Sequence, residues 1–176
     1  MNRIFLLCTV TALLAGAFSC GRSGNGANGD TPTEAYKRLF AAVKSGSLDG
    51  VRAEMTRKTL EFAASTAKRM GKTADEQIRF GMTRTTYADI LPTIRDERVK
   101  DDMGAVEVWN SQDGRWDDLP FMIENGKWKI AYGEAFGGIW HSPGKGRDQI
   151  EKEAANVIAG PPDMNTNSNI RSNAAK

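Results

Sequence analysis

A chain of 176 residues with 24 Lys and Arg against 22 Asp and Glu is close to electrically neutral. That balance is not the basic footprint of a nucleic-acid-binding protein, and no nucleic acid is expected as partner. One histidine and two cysteines leave little beyond carboxylates to hold a metal ion, so neither metal nor cofactor is expected.

In chain order, residues 4–17 are almost wholly apolar and follow a single early charge, Arg3. A short basic start, an apolar stretch and then small residues read as a secretory signal. The stretch is short of the roughly 20 apolar residues a spanning helix needs. Ala17-Phe18-Ser19-Cys20 resembles the lipobox of bacterial lipoproteins, although that family usually has leucine where Ala17 stands. The resemblance implies a signal over residues 1–19, acylation of the Cys20 thiol and anchoring in the membrane of the cell envelope. Without it, an ordinary signal cut nearby leaves Cys20 as a stray thiol. Cys8 lies inside the signal, so the processed chain has no internal disulfide to form. Gly21, in place of aspartate, favours the outer membrane where the host has one. Residues 20–30 are then the lipidated cysteine and a glycine-rich tether, too poor in apolar groups to pack.

Thr31 caps a first helix, with Pro32 in its first turn, Glu34 completing a capping box and Gly46 ending it. Tyr36, Leu39, Phe40 and Val43 share one face at helical spacing. A short second helix over 47–55 and a third over 57–70 follow, then a brief fourth from Thr73 through Phe80. The period then changes to strand candidates over 90–99, 104–110, 115–124 and 127–132. Asn125-Gly126 is the strongest two-residue hairpin signal. If it is the whole loop, Ile123 faces Trp128 and Phe121 faces Ile130. Asp113-Gly114 read as a two-residue loop pairs Val108 with Leu119. A four-residue loop keeps the same side inward but sets Glu107 against Asp118, so the shorter loop is expected. One sheet face then holds Val106, Val108, Leu119, Phe121, Ile123, Trp128, Ile130 and Tyr132, and the helices cover it. This is an α+β fold, N-terminal helices packed on an antiparallel sheet.

The segments "TPTEAYKRLFAAVKSGSLDGVRAEM", "ERVKDDMGAVEVWN" and "WDDLPFMIENGKWKIAYGEAF", in that order and spacing, resemble the nuclear transport factor 2-like superfamily. More closely, they are similar to its uncharacterised bacterial lipoproteins. The resemblance implies one domain over residues 31–140 in which a curved sheet wraps the helices as a cone-like roll. It also implies a pocket between sheet and helices, with Tyr36, Asp117 and Tyr132 as candidate lining. An isomerase of this superfamily sets a carboxylate base against a tyrosine and a protonated aspartate. No firm pair of that kind is legible, and no catalytic residue is assigned. His141 stands alone in a glycine-rich loop, and "GKGRDQ" lacks the spacing of a phosphate loop.

Trp109, Trp116 and Met122 point to the opposite sheet face. They are a candidate interface for a homodimer or protein partner, or a surface covered by the C-terminal segment 141–159, where Ile150, Ala154 and Val157 have helical spacing. Residues 160–176 read as a polar, disordered tail. Residues 31–84 carry eleven basic and six acidic side chains, and residues 85–136 the reverse. The expected function is a non-catalytic envelope lipoprotein that binds a small apolar ligand or a protein partner. The alternative is a pocket enzyme of isomerase, dehydratase or cyclase type.

Overall fold

The computed structural model describes residues 29–159. The signal, Cys20, most of the tether and the tail lie outside the described residues. Among the described residues no helix is long and apolar enough to cross a membrane.

Four helices precede the sheet: α1 (Pro32–Ser45), α2 (Leu48–Ala53), α3 (Arg57–Arg69) and α4 (Ala74–Ile78). Each starts on a hydroxyl cap, Thr31, Ser47, Thr56 and Thr73, which accepts an otherwise unpaired amide of the first turn. The full capping box forms at α4, between Thr73 and Glu76. At α1 Glu34 turns to Lys37 instead, and the Thr33 amide donates to Glu97 across the fold.

A four-stranded antiparallel meander follows, β1 (Ile94–Lys100), β2 (Met103–Asn110), β3 (Arg115–Glu124) and β4 (Lys127–Ile130), in the order β1-β2-β3-β4. The sheet is not strongly curled. Two helices end the described chain, the short α5 (Tyr132–Phe136) and the longer α6 (Arg147–Ala159). Three expectations are corrected. The first strand starts at Ile94, because Pro92 cannot donate to a ladder and Ile90 is left 81% exposed. The fourth helix stops at Ile78. Tyr132 opens α5 and does not continue β4.

The inner face holds the core. Val106, Val108, Leu119, Phe121, Trp128 and Ile130 pack against Tyr36, Leu39, Val51, Met55 and Ala63, all buried. The Asn125-Gly126 turn has φ of 55° and 75°, the conformation that matches strand twist in a two-residue hairpin. It sets Glu124 opposite Lys127 and Ile123 opposite Trp128. Gly104 is required by proximity: a Cβ there would lie 2.6 Å from Pro32 Cγ and 3.0 Å from the Trp128 ring.

The β2–β3 register is the one expected to be unfavourable. Asn110 pairs with Arg115, Glu107 with Asp118 and Val106 with Leu119, around a four-residue loop. Asn110 builds that loop. Its Oδ1 accepts from the amides of Gln112 and Asp113, and its Nδ2 donates to Asp113 and Asp117.

The outer edge of β4 is closed. The Ile130 amide donates to Glu54 O and the Thr56 amide to Ile130 O, at 2.9 and 3.1 Å. Asp30 takes the Trp128 amide at 3.0 Å, while Arg38 holds both Asp30 and the Trp128 carbonyl. A sheet edge treated this way has few free groups for another strand.

Candidate functional site

Of the candidate pocket residues, Tyr132 lies near enough to Tyr36 and Asp117 to feel the charge of each. Tyr36 is fully buried on α1. Burial pushes its hydroxyl up to about 12, with the Thr85 hydroxyl pulling the other way. Tyr132 is half-buried. Burial pushes its hydroxyl well above the usual tyrosine range, Thr83 opposes this, and the charges of Asp117 and Tyr36 add to it. Asp117 lies opposite Val108 on the inner face. Its carboxylate accepts from Asn110 Nδ2 at 2.7 Å and from Arg115 Nε at 2.9 Å.

The outer face differs from expectation. Trp109 and Trp116 are directly paired and half-buried, their rings edge to face at 5.2 Å. Met122 does not join them. Six residues further along β3, it lies about 20 Å away, paired instead with Met103. Between the two ends runs a row of carboxylates across three strands: Asp96, Glu107 and Asp118, each opposite the next.

Two arginines of β1 make that row tolerable. A bulge between Ile94 and Asp96 leaves Arg95 without a partner residue, and a bulge re-aims a side chain in this way. Its Nε donates to Glu107 at 2.6 Å, and its guanidinium carbon lies 4.1 Å from the Trp116 ring centroid. Arg98 bonds Asp96 and both oxygens of Asp118. Burial lowers the affinity of both guanidiniums for their protons, but the carboxylates outweigh it. Burial holds the Asp118 carboxyl above its usual range, against the pull of Arg98.

The C-terminal segment crosses this face. Trp140 Nε1 donates to Gly104 O at 3.0 Å, the His141 amide to Met103 Sδ at 3.5 Å, and Ser142 Oγ to Asp118 at 3.3 Å. Further on, the Asp148 amide donates to Glu107 Oε1 at 3.0 Å, and Arg95 reaches Glu151. The covering is thus polar. Ile150 and Val157, which would face the sheet if the segment covered it through its apolar residues, are 53% and 82% exposed.

Sequence reading missed two further features. Glu134 on α5 is buried, and its Oε2 accepts from the Thr56 and Thr59 hydroxyls at 2.8 and 3.4 Å. It sits at the N-terminal turn of α3, where a helix favours negative charge. An apolar patch also lies beyond α4. Phe80 and Tyr87 stack at 4.5 Å, with Ile90 and Leu91 exposed beside them in sequence. Phe80 separates two open grooves of about 300 and 150 Å³, one bordered by Val43, Leu48 and Val51, the other by Met82 and Thr83. The run 78–91 carries no regular apolar period to announce it.

Among the described residues no group of three or more His, Cys, Asp and Glu is arranged to hold a metal ion. No family model matches this chain, and neither a curated protein nor a solved structure matches it.

Proposed function

We propose that the protein is an envelope lipoprotein, anchored through Cys20, whose folded part works by binding and not by catalysis. The reading rests on the exposed, stacked rings of Phe80 and Tyr87 and the two grooves they border. Clustered large apolar side chains at a surface cost solvation unless something covers them. The partner is a small apolar ligand or the apolar face of a protein. The layering of helices on an antiparallel meander supports membership of the nuclear transport factor 2-like superfamily, in a flatter form than its usual cone.

Native mass spectrometry of the protein purified from its own host tests this reading. A co-purifying molecule is expected on the wild type and should be lost from Phe80→Ser/Tyr87→Ser. Retention in the double variant sinks the assignment of the patch. The anchor is tested separately: Cys20→Ala should release the protein from membranes, and unchanged partition would remove the lipoprotein reading.

A second reading, a pocket enzyme of isomerase, dehydratase or cyclase type, is favoured by the nearness of Tyr132 to Tyr36 and Asp117. It needs Asp117 free of Arg115. Arg115→Ala would then raise turnover on a ketosteroid-like substrate, and no turnover in either protein would end that reading.

A further inference from the structure

The rings of Phe80 and Tyr87 leave a second exposed aromatic face unused, on α3 and α5. α5 lies directly on the start of α3, so close that a Cβ on Gly133 would stand 2.2 Å from Lys58 O. Phe136, at the end of α5, stacks on Phe62 of α3 at 4.9 Å and on Tyr132 at 6.2 Å, yet stays 70% exposed. Ile139, whose amide donates to Glu134 O, is 43% exposed.

Cations bracket these rings. Lys58 stands one turn before Phe62 and Arg69 two turns after it, both within about 40° of it around the helix. Lys68 is exposed beside Arg69. Among the described residues none of the three makes an ion pair. The carboxylates around the start of α3 are matched within the fold: Glu54 by Arg38, Glu61 by Arg57 and Glu124 by Lys129. Glu134 is buried on the Thr56 and Thr59 hydroxyls. Exposed rings rimmed by unmatched cations suit a lipid interface, where apolar groups enter the headgroup layer and cations take anionic headgroups.

The point where the described chain begins lies on the same side. Asp30 holds the Trp128 amide, and Thr56, which caps α3, donates its amide to Ile130 O. Those two points are two residues apart on β4, about 7 Å. Asp30 is the tenth residue after Cys20, at most about 35 Å of chain. An acyl chain on Cys20 therefore keeps the start of α3 within reach of the bilayer. The groove beside Phe80 borders Val43, about 18 Å along α1 from Thr31, which leaves it free for its own partner. We propose that Lys58, Phe62, Arg69 and Phe136 seat the domain on the anionic lipid surface that carries its anchor, a role that rests on the lipoprotein reading of Cys20.

The test uses the full processed chain purified from its host, in bicelles of phosphatidylcholine and phosphatidylglycerol that contain a nitroxide-labelled lipid. Relaxation broadening of the backbone amides of Phe62 and Phe136 should exceed that of Phe80 and Tyr87 several-fold. The excess should fall when phosphatidylglycerol is left out or salt is raised. Lys58→Glu/Arg69→Glu/Phe136→Ser should stay acylated, bicelle-bound and folded by circular dichroism, and lose the excess. Phe80→Ser/Tyr87→Ser should keep it. An acylated chain without the excess, as a second copy seated on these rings would produce, overturns the lipid face and leaves the anchor standing. So does an excess that ignores the anionic lipid or survives the triple change. A chain whose intact mass shows no acyl group overturns the anchor and the lipid face with it.

Discussion

The two faces of one sheet are held by different physics. The inner face is apolar and closed by helices, and it depends on volume: Trp128, Phe121 and Ile130 fill the space against α1 and α3. The outer face depends on charge balance, because Asp96, Glu107 and Asp118 face one another across three strands and Arg95 and Arg98 supply the opposite charge. An apolar face tolerates errors in chemistry and not in size. A charged face tolerates changes in size and not the loss of one partner.

The largest expected effect lies on the inner face. Trp128→Ala should cost about 3–5 kcal/mol, as removal of a fully buried aromatic ring does, read by denaturant unfolding. A cost below about 1 kcal/mol would mean that the inner face is not the core. On the outer face, Glu107→Ala should cost about 1.5–3 kcal/mol, the value of a hydrogen bond to a charged group, because it leaves the largely buried Arg95 with only Asp148 and Glu151. The double change Arg95→Leu/Glu107→Leu should recover most of that loss. If the double variant is the worse of the two, the charge-balance account of this face fails.

Tyr36 sharpens the inner side of the comparison through pH. Its hydroxyl is held up at about 12 when folded, against about 10 in an unfolded chain. The stability it contributes is complete below pH 10 and is lost as pH rises from there to about 12, because the unfolded chain releases the proton first. Tyr36→Phe should remove about 2–3 kcal/mol of that alkaline loss, from the size of the shift, in unfolding curves at pH 9 and 11.5. Equal pH slopes in the two proteins would contradict the burial of that hydroxyl.

The smallest effect is expected at the tryptophan pair. Trp109→Ser/Trp116→Ser should cost about 1–2 kcal/mol, part of the value of full burial, since both rings are half-buried. Sedimentation then decides the homodimer expectation: a wild-type dimer that becomes a monomer in this variant supports a partner surface at this end. A wild-type monomer removes it.

The same contrast explains what could be read in advance. Alternation of Val106 with Val108, and of Leu119 with Phe121 and Ile123, is a period-two signal along one strand, and Asn125-Gly126 pins its neighbour. The inner face was therefore legible, down to the partners across β3 and β4. The β2–β3 register was not, because Glu107 against Asp118 is unfavourable for two strands taken alone. The compensating guanidiniums come from β1, and one is aimed by a bulge that no spacing in the sequence announces. Of the candidate residues, Tyr132 lies close enough to Tyr36 and Asp117 to feel their charge. Met122 was misjudged, because it lies six residues along β3 from Trp116 and pairs with Met103.

Asp30 has a mechanical consequence. Its carboxylate joins the Trp128 amide of β4 and the Arg38 guanidinium of α1 in one knot. A pull on the chain ahead of it does not unzip the first turn of α1 one bond at a time. The load divides between helix and strand edge and reaches both in shear, so several bonds must yield together. An Asp30→Ala chain would lose that load-sharing and peel from its first helical turn at lower force.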